Sequence, residues 1–353
     1  MPTIQATSVK GTGMSRFASQ HNSEPDFSDS SHWTELKTCP LCGHSILSHI
    51  LDARDRHYGN PGVFEIVECA NCRLNFLNPM PTAAYLSSAY PENYYAYTLT
   101  IPKTFKERAV KTIKRVASAL LFYSGSATGD PTFKTPETML DIGCGAGAFL
   151  AKMREKGWKV YGVEFDPRAA ERGRQEGLDI FAGTIEAAGY PDATFDYVRS
   201  NHSFEHINNP REVLREIRRV IKLNGLLFIG VPNVSGLMAR WFGTYWWYLG
   251  APVHTFGYSP ATLRRLLAEE GFIVEQVNYN SSFWGIFGSL QIYANRKNGK
   301  NSEDGWIVHN PALMLLGHWF ARITDLLSRG DCMEIIARPV SREAPSSGTY
   351  IRR

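Results

Sequence analysis

The sequence predicts a doubly wound α/β fold with a small metal-binding module ahead of it. Three observations lead there: apolar runs alternate with helical segments from residue 138 onward, a glycine-rich turn follows the first run, and two CxxC pairs precede both. Strands that alternate with helices imply a parallel sheet with helices on its two faces. We expect a disordered tail, the metal-binding module, a linker helix, the α/β domain and a second disordered tail at 1–36, 37–98, 99–136, 137–340 and 341–353.

Composition excludes several other classes of protein. Of the 353 residues, 43% are apolar and 20% are charged, which is the balance of a globular chain rather than a disordered one. No run approaches the roughly 18 apolar residues that a membrane-spanning helix needs. The net charge of +4 is too small to indicate nucleic acid as a partner.

The N-terminal segment carries little targeting information. It has no basic region followed by an apolar one, so we expect no secretory signal. Lys10 and Arg16, with no acidic residue before Glu24, leave an organelle transit peptide open. Six cysteines are too few for a disulfide scaffold, which favours a reducing compartment, the cytoplasm.

Four of the cysteines have the spacing of a metal site. Cys39 and Cys42 form one CxxC pair, and Cys69 and Cys72 form a second. Each such turn can direct both thiolates to one ion, and four thiolates suit tetrahedral zinc. Because four protein ligands leave no open coordination position, we predict a structural zinc.

A linker helix is predicted over residues 103–122. Its apolar residues recur at helical spacing and its other face is lysine-rich. Such a helix can pack on the next domain or lie on a membrane surface, and we favour packing on the domain.

The α/β domain is then assigned element by element. Strands are predicted at 139–142, 160–163, 196–199, 226–231 and 272–277, with helices to about 156, from 167, at 211–222 and at 260–269. A late strand at 331–337 is predicted to be antiparallel, and residues 281–328 form an insertion with apolar helical stretches.

The glycine-rich turn marks the expected ligand site. Gly143, Gly145 and Gly147 stand where the first strand turns into a helix, so the backbone can approach a ligand closely. The glycines alone also fit a dinucleotide site. Asp141, two residues before them, is unusual for a dinucleotide site, whereas Glu164 at the end of the second strand suits the ribose of either cofactor.

With these residues in place, the chain resembles a class I S-adenosylmethionine-dependent methyltransferase with a Rossmann-like sheet. It is more narrowly similar to a bacterial group with an N-terminal zinc-binding module that often acts on sugars or glycolipids. The resemblance runs from about Cys39 to Arg338 and rests on several motifs in order. These are the CPxC pair, Asn78-Pro79, Tyr90-Pro91-Glu92-Asn93-Tyr94-Tyr95, the glycine loop, Phe204-Glu205-His206, Pro232-Asn233 and His254 followed by Phe256-x-Tyr258-Ser259.

The resemblance implies roles around S-adenosyl-L-methionine. The three glycines should line its methionine end with Asp141 near the ammonium, and Glu164 should hold the ribose. Adenine should be flanked by Phe165 and edged by Thr184 and Ile185, and Asn201 should lie under the sulfonium. For Phe165 and Ile185, simple core packing is nearly as good an interpretation.

Histidines are the candidate catalytic residues, since methyl transfer to oxygen or carbon often requires removal of a proton. His202 and His206 follow the strand predicted at 196–199, at the rim where open α/β sheets bind ligands. The resemblance implies that His254 acts as the base, as in related sugar C-methyltransferases. Pro252-Val253 departs from their pattern and leaves O-methylation open. Glu205-His206 can also be a purely structural pair.

The substrate class follows from the resemblance and from the aromatic loop 241–258. We expect a small-molecule or lipid-linked sugar as the acceptor. An aromatic lid is compatible with a peripheral contact between the protein and the inner face of the membrane. A zinc-module RNA methyltransferase is one alternative, but residues 37–98 hold four basic and five acidic residues, a net charge of −1. A non-catalytic S-adenosylmethionine-binding protein and a dehydrogenase are others. The sequence leaves the oligomeric state open.

Overall fold

The computed structural model describes residues 29, 31–91, 129–131, 133–296 and 302–341. The predicted linker helix lies outside the described residues, as do residues 1–28 and 342–353 of the two predicted tails. No helix within the described ranges is long and apolar enough to span a membrane.

The N-terminal part is built from short strands and one helix. In chain order they are β1 (Trp33–Thr34), β2 (Leu47–Ala53), β3 (Phe64–Cys69), β4 (Asn75–Leu77), β5 (Met80–Pro81) and α1 (Ala83–Ala89). Strands β2, β3 and β4 form an antiparallel sheet, and β1 pairs with β5. The alternating run Val63-Phe64-Glu65-Ile66-Val67-Glu68 lies almost wholly in β3.

The disordered tail predicted at 1–36 extends too far towards the C-terminus, because β1 lies within that range. Trp33 is 4% exposed, and its ring centroid lies 4.4 Å from that of Tyr85 and 5.9 Å from that of Phe64. One buried tryptophan in a polar stretch produces no periodicity. The aromatic contacts that order residue 33 are therefore invisible in the local sequence.

The main domain is the predicted α/β sheet with helices. Its elements as far as the fifth strand are β6 (Thr138–Ile142), α2 (Ala148–Glu155), β7 (Lys159–Glu164), α3 (Pro167–Gln175), β8 (Asp179–Ala182), α4 (Ile185–Ala188), β9 (Phe195–Asn201), α5 (Pro210–Val220) and β10 (Ile221–Pro232). The remainder are α6 (Leu237–Phe242), β11 (Phe256–Gly257), α7 (Pro260–Glu269), β12 (Phe272–Tyr279), α8 (Ser289–Arg296), α9 (Trp306–His309), α10 (Pro311–Leu326) and β13 (Cys332–Pro339).

Seven strands form one mostly parallel sheet in the order β12-β13-β10-β9-β6-β7-β8. The late strand β13 is antiparallel to both its neighbours, as predicted. Strand β10 is longer than the predicted 226–231, and α5 ends two residues earlier than expected. The reason is Ile221, which is 2% exposed and pairs with Phe195 before a bulge that spans residues 222–225.

The N-terminal strands and the large sheet share a core. Buried Leu41 and Phe76 belong to the same apolar cluster as Leu140, Leu214 and Leu263. In addition, β11 of the main domain adds to the edge of the N-terminal sheet, with Phe256 opposite Phe76. The two parts therefore pack as one structural unit at this edge.

Candidate cofactor, histidine and cysteine sites

The glycine loop leaves β6 and enters α2 in a conformation that only glycine adopts easily. Gly143 has φ of +70°, and a Cβ added to it would lie 2.4 Å from the Cβ of Ser203. Gly147 has φ of +83° and precedes α2 without a side-chain cap. The loop lies at the carboxyl edge of the sheet, where Gly143 and Gly147 donate to the carbonyls of Val163 and Cys144, at 2.8 and 3.0 Å.

Glu164 ends β7 beside this loop. Its carboxylate accepts hydrogen bonds from the N–H of Gly145 at 2.7 Å and from the N–H of Asp166 at 2.9 Å. Burial raises the pKa of Glu164, and the two N–H donors oppose that rise. The next side chain, Phe165, is 50% exposed, so it is not a core residue. A fixed carboxylate next to an open aromatic ring suits a ribose and an adenine.

Asp141 lies deeper than the other predicted cofactor residues. It is 1% exposed and directly opposite Arg199 on the neighbouring strand. Arg199 Nη1 donates to both carboxylate oxygens, at 2.8 and 3.0 Å. Burial raises the pKa of Asp141. Sequence reasoning missed this ion pair, and its signal was a charged residue inside an otherwise apolar strand.

The other predicted cofactor residues differ in what they can offer. Asn201, at the end of β9, has a buried Oδ1 without a hydrogen-bond partner among the described residues. Thr184 caps α4 by accepting from the N–H of Ala187 at 3.4 Å. Ile185 is 2% exposed and packs in the core, so its side chain follows the core-packing interpretation.

The three predicted catalytic histidines surround one carboxylate. Glu205 is 1% exposed, and its Oε1 lies 3.7 Å from His202 Nδ1, 3.9 Å from His206 Nε2 and 3.8 Å from His254 Nε2. Neither carboxylate oxygen has a hydrogen-bond partner among the described residues. We call these four residues the histidine cluster. Sequence reasoning did not identify Glu205 as its centre.

Two of the histidines are oriented by backbone carbonyls. His254 Nδ1 lies 3.0 Å from the Tyr248 oxygen, and His206 Nδ1 lies 2.9 Å from the Val253 oxygen. Because a carbonyl only accepts, both Nδ1 atoms carry the proton and both Nε2 lone pairs face Glu205. Burial, followed by the neighbouring His206, lowers the pKa of His254 to about 3.

The loop of the histidine cluster contacts the glycine loop directly. Ser203 Oγ donates to the carbonyl of Ile142 at 2.7 Å, and its Cβ limits the space at Gly143. His202, with φ of +51°, is held by its N–H to the carbonyl of Gly230 at 2.8 Å. Its side chain is the most exposed of the three imidazoles, at 37% against 19% and 20%.

The four predicted metal-binding cysteines lie together. The Sγ atoms of Cys39 and Cys72 are 3.5 Å apart, as are those of Cys42 and Cys69. All four Sγ atoms lie within 4.8 Å of one another. Thiolates about 2.3 Å from a tetrahedral zinc are about 3.8 Å apart, so the four sulfurs fit one such ion.

Most of the aromatic loop 241–258 is packed rather than open. Trp246 is 3% exposed and donates from Nε1 to Asp331 Oδ1 at 3.1 Å. Trp247 stacks on Trp284 at a centroid distance of 5.0 Å. Trp241 alone of the loop's tryptophans is widely exposed, at 63%. The two central tryptophans of the loop therefore pack against other parts of the protein.

The main domain is similar to known methyltransferases. Residues 108–277 match the family described as methyltransferase domain. The chain is 33% identical over 98 residues to a sterol 4-C-methyltransferase of Caenorhabditis elegans, covering 26% of this chain and 29% of the relative. It is 27% identical over 180 residues to a demethylmenaquinone methyltransferase of Thermotoga maritima, covering 43% and 76%. The chain spans about a third of the length of the first curated relatives that it matches.

Solved structures include a similar chain from Archaeoglobus fulgidus, a SAM-dependent methyltransferase. It is 21% identical, covers 65% of this chain and 93% of its own, and has a TM-score of 0.40.

Proposed function

We propose that this protein, which carries a class I S-adenosylmethionine-dependent methyltransferase domain, transfers a methyl group from S-adenosylmethionine to a sugar or glycolipid acceptor. One observation carries the proposal furthest. The glycine loop and the histidine cluster meet through Ser203 at the carboxyl edge of the sheet. A cofactor cradle and a set of proton-accepting groups at one edge are what such a transfer needs.

The residues at the glycine loop fit S-adenosylmethionine. When bound, this cofactor supplies a methyl group activated by a positively charged sulfur. Glu164 would accept hydrogen bonds from the ribose hydroxyls, and the exposed ring of Phe165 would cover one adenine face. The unpaired Oδ1 of Asn201 offers a buried acceptor at the same edge. Asp141 would attract the ammonium from beneath the loop, with its charge partly neutralised by Arg199.

The histidine cluster forms the acceptor side of the site. A neutral imidazole with its lone pair free can take or share the proton of an acceptor hydroxyl. A pKa of about 3 makes His254 a weak base by itself, so we assign the proton to the cluster as a whole. His202 is its most open member and would meet the acceptor first.

Replacing His254 with alanine should separate binding from transfer. We expect unchanged affinity for S-adenosylmethionine, because His254 is outside the glycine loop, and at least a hundredfold loss of methyl transfer. Calorimetry with the cofactor and a labelled-methyl assay would measure the two effects. The matched control is His309→Ala, since His309 is exposed, pairs with Asp304 and lies outside the histidine cluster. Equal loss of cofactor affinity and transfer would contradict this division of roles.

The preference for a lipid-linked sugar is supported by one face of α10. Its exposed positions carry no charge and include Leu315, Leu316, Trp319, Ile323 and Leu326, the last 85% exposed. The charged pair Arg322–Asp325 instead lies on a more buried side. An uncharged apolar face with a tryptophan suits the interfacial region of a lipid bilayer. We propose that this face contacts the membrane that holds the acceptor.

Binding of the full chain to vesicles tests the membrane contact. We expect sedimentation with phosphatidylglycerol–phosphatidylcholine vesicles, and Leu316→Asp should reduce the bound fraction severalfold because a carboxylate would enter the apolar boundary. Leu223→Asp is the matched control, since Leu223 is 59% exposed on β10, outside α10. A wild-type protein that does not sediment with the vesicles would refute the membrane contact. A dimer that Leu316→Asp dissociates would instead assign the face to a second copy.

The four cysteines are proposed to hold a structural zinc. Their sulfurs fit one tetrahedral ion, and Asn71 Nδ2 lies 3.5 Å from Cys42 Sγ as a further donor to the thiolate. With four protein ligands the ion would have no open position for substrate. We therefore assign it to folding of the N-terminal part.

The acceptor class is tested by labelled transfer into a lysate of the source organism. Products would be separated into nucleic acid, water-soluble and butanol-extractable fractions. Label in the water-soluble or butanol-extractable fraction, absent with His254→Ala, is the expected result. Label in RNA would overturn the acceptor class but keep the enzyme class.

A further inference from the structure

The histidine cluster has the donor set of a transition-metal site. Glu205, His206 and His254 each offer one ligand atom, and these atoms lie within 4.8 Å of one another. Two imidazole nitrogens with one carboxylate, leaving positions open, is a common arrangement for ions such as Zn²⁺, Fe²⁺ and Mn²⁺. The sequence separation of about 50 residues hid this arrangement from motif analysis.

The gaps inside the cluster are too long for hydrogen bonds. The Oε1 of Glu205 lies 3.7 to 3.9 Å from the three imidazoles, beyond the 3.5 Å limit of a useful contact. Ligand atoms about 2.1 Å from one ion are about 3.0 to 3.5 Å apart. Because the ligand atoms lie within 4.8 Å of one another, closing the cluster onto an ion needs shifts of up to about 1 Å at each side chain.

The buried carboxylate needs a partner. Glu205 is 1% exposed, and both of its oxygens are buried without a hydrogen bond among the described residues. A buried charge without hydrogen bonds is unfavourable, and coordination by a cation is a standard way to offset it. The facing imidazoles, with both Nε2 lone pairs directed inward, are acceptors in this state and cannot donate to the carboxylate.

The second layer of contacts is also that of a metal site. Metal-binding histidines usually donate their other ring N–H to a carbonyl or a carboxylate, which fixes the ring. His254 does so to the carbonyl of Tyr248, and His206 does so to that of Val253. Tyr90 adds a hydroxyl 2.9 Å from His206 Nδ1. Both imidazoles are therefore fixed in orientation, with their Nε2 atoms directed toward Glu205.

We propose that Glu205, His206 and His254 bind a divalent transition-metal ion, with His202 at its exposed side. The ion would be held partly by the loop that contacts the glycine loop through Ser203. The binding of the ion stands apart from the proposed function, whereas its role in holding an acceptor oxygen rests on that function. Because the ion would occupy the Nε2 lone pairs of His206 and His254, only His202 would then take the acceptor proton.

Metal stoichiometry of the full chain tests the site. Co-purified transition metal is measured by mass spectrometry, and further uptake is followed with Mn²⁺ by electron paramagnetic resonance, because Mn²⁺ prefers nitrogen and oxygen donors to thiolates. The sum of co-purified metal and Mn²⁺ taken up should be one equivalent larger in the wild type than in Glu205→Gln. Affinity for Mn²⁺ should fall at least about tenfold in that variant. His309→Ala is the control and should equal the wild type.

Further readouts keep the test decisive if Glu205→Gln folds poorly. His254→Ala should lose the same equivalent, and Mn²⁺ bound to the wild type should show hyperfine coupling to histidine nitrogen. No metal outside the cysteines, equal uptake by both proteins, or no nitrogen coupling would each overturn the site. Binding of S-adenosylmethionine is measured in parallel. A wild-type protein that does not bind it would contradict the proposed function and leave the metal result unaffected.

Discussion

Replacing Glu164 with alanine should weaken binding of S-adenosylmethionine about a hundredfold or more. Two ribose hydroxyls that donate to an ionised carboxylate contribute about 1.5 kcal/mol each at the lower end, and each 1.4 kcal/mol corresponds to a tenfold change in affinity. The side chain also binds the N–H groups of Gly145 and Asp166. Its loss would therefore loosen the glycine loop in addition to removing the ribose contact.

Calorimetry with S-adenosylmethionine and S-adenosylhomocysteine would measure this loss. Glu164→Gln should lie between the wild type and alanine, because the amide keeps one acceptor oxygen but lacks the charge. Glu186→Ala is the matched control, since Glu186 is exposed on the neighbouring helix α4. Wild-type affinity in Glu164→Ala would remove the ribose role from this residue.

Replacing Cys69 with serine should release zinc and destabilise the N-terminal part. Cys69 is fully buried, and its Sγ lies 3.5 Å from that of Cys42. Losing a metal ligand is among the few single changes that cost about 4 kcal/mol or more, which corresponds to roughly 10 °C in the melting temperature of a protein of this size. The variant should also lose protection from proteolysis in residues 37–91.

Metal analysis and thermal unfolding would test this second effect together. Cys144→Ala serves as the control, because Cys144 lies in the glycine loop and outside the cysteine cluster. Its zinc content should match that of the wild type. A wild-type protein that never holds zinc would refute the structural role of the four cysteines.

Local patterns predicted six of the seven strands of the large sheet, because each of the six contains a short apolar run, whereas the four-residue strand β8 was not assigned. The glycine turn after β6 was predicted for the same reason, since its backbone requirements are local. The late strand β13 was also recognisable from its own residues, although its place between β10 and β12 was not.

The missing parts depend on contacts between distant residues. Arg199 pairs with Asp141 across 58 positions, and Glu205 meets His254 across 49, so neither partner is visible from its neighbours in sequence. The ordered position of Trp33 was missed for the same reason, because Trp33 is held by ring contacts with Tyr85 and Phe64. Long-range burial of polar groups is what a single sequence conveys least.

The strand β11 completes the N-terminal sheet two residues after His254, and this limits how such a protein can be recombined. Phe256 and Gly257 pair with Phe76 and Asn75, so a transplanted N-terminal segment with a different β4 would leave the loop of His254 without its neighbour. Exchange of the segment between enzymes would thus be tolerated only when the loop travels with it. Acceptor choice and the N-terminal segment are expected to change together in evolution, as one inherited block.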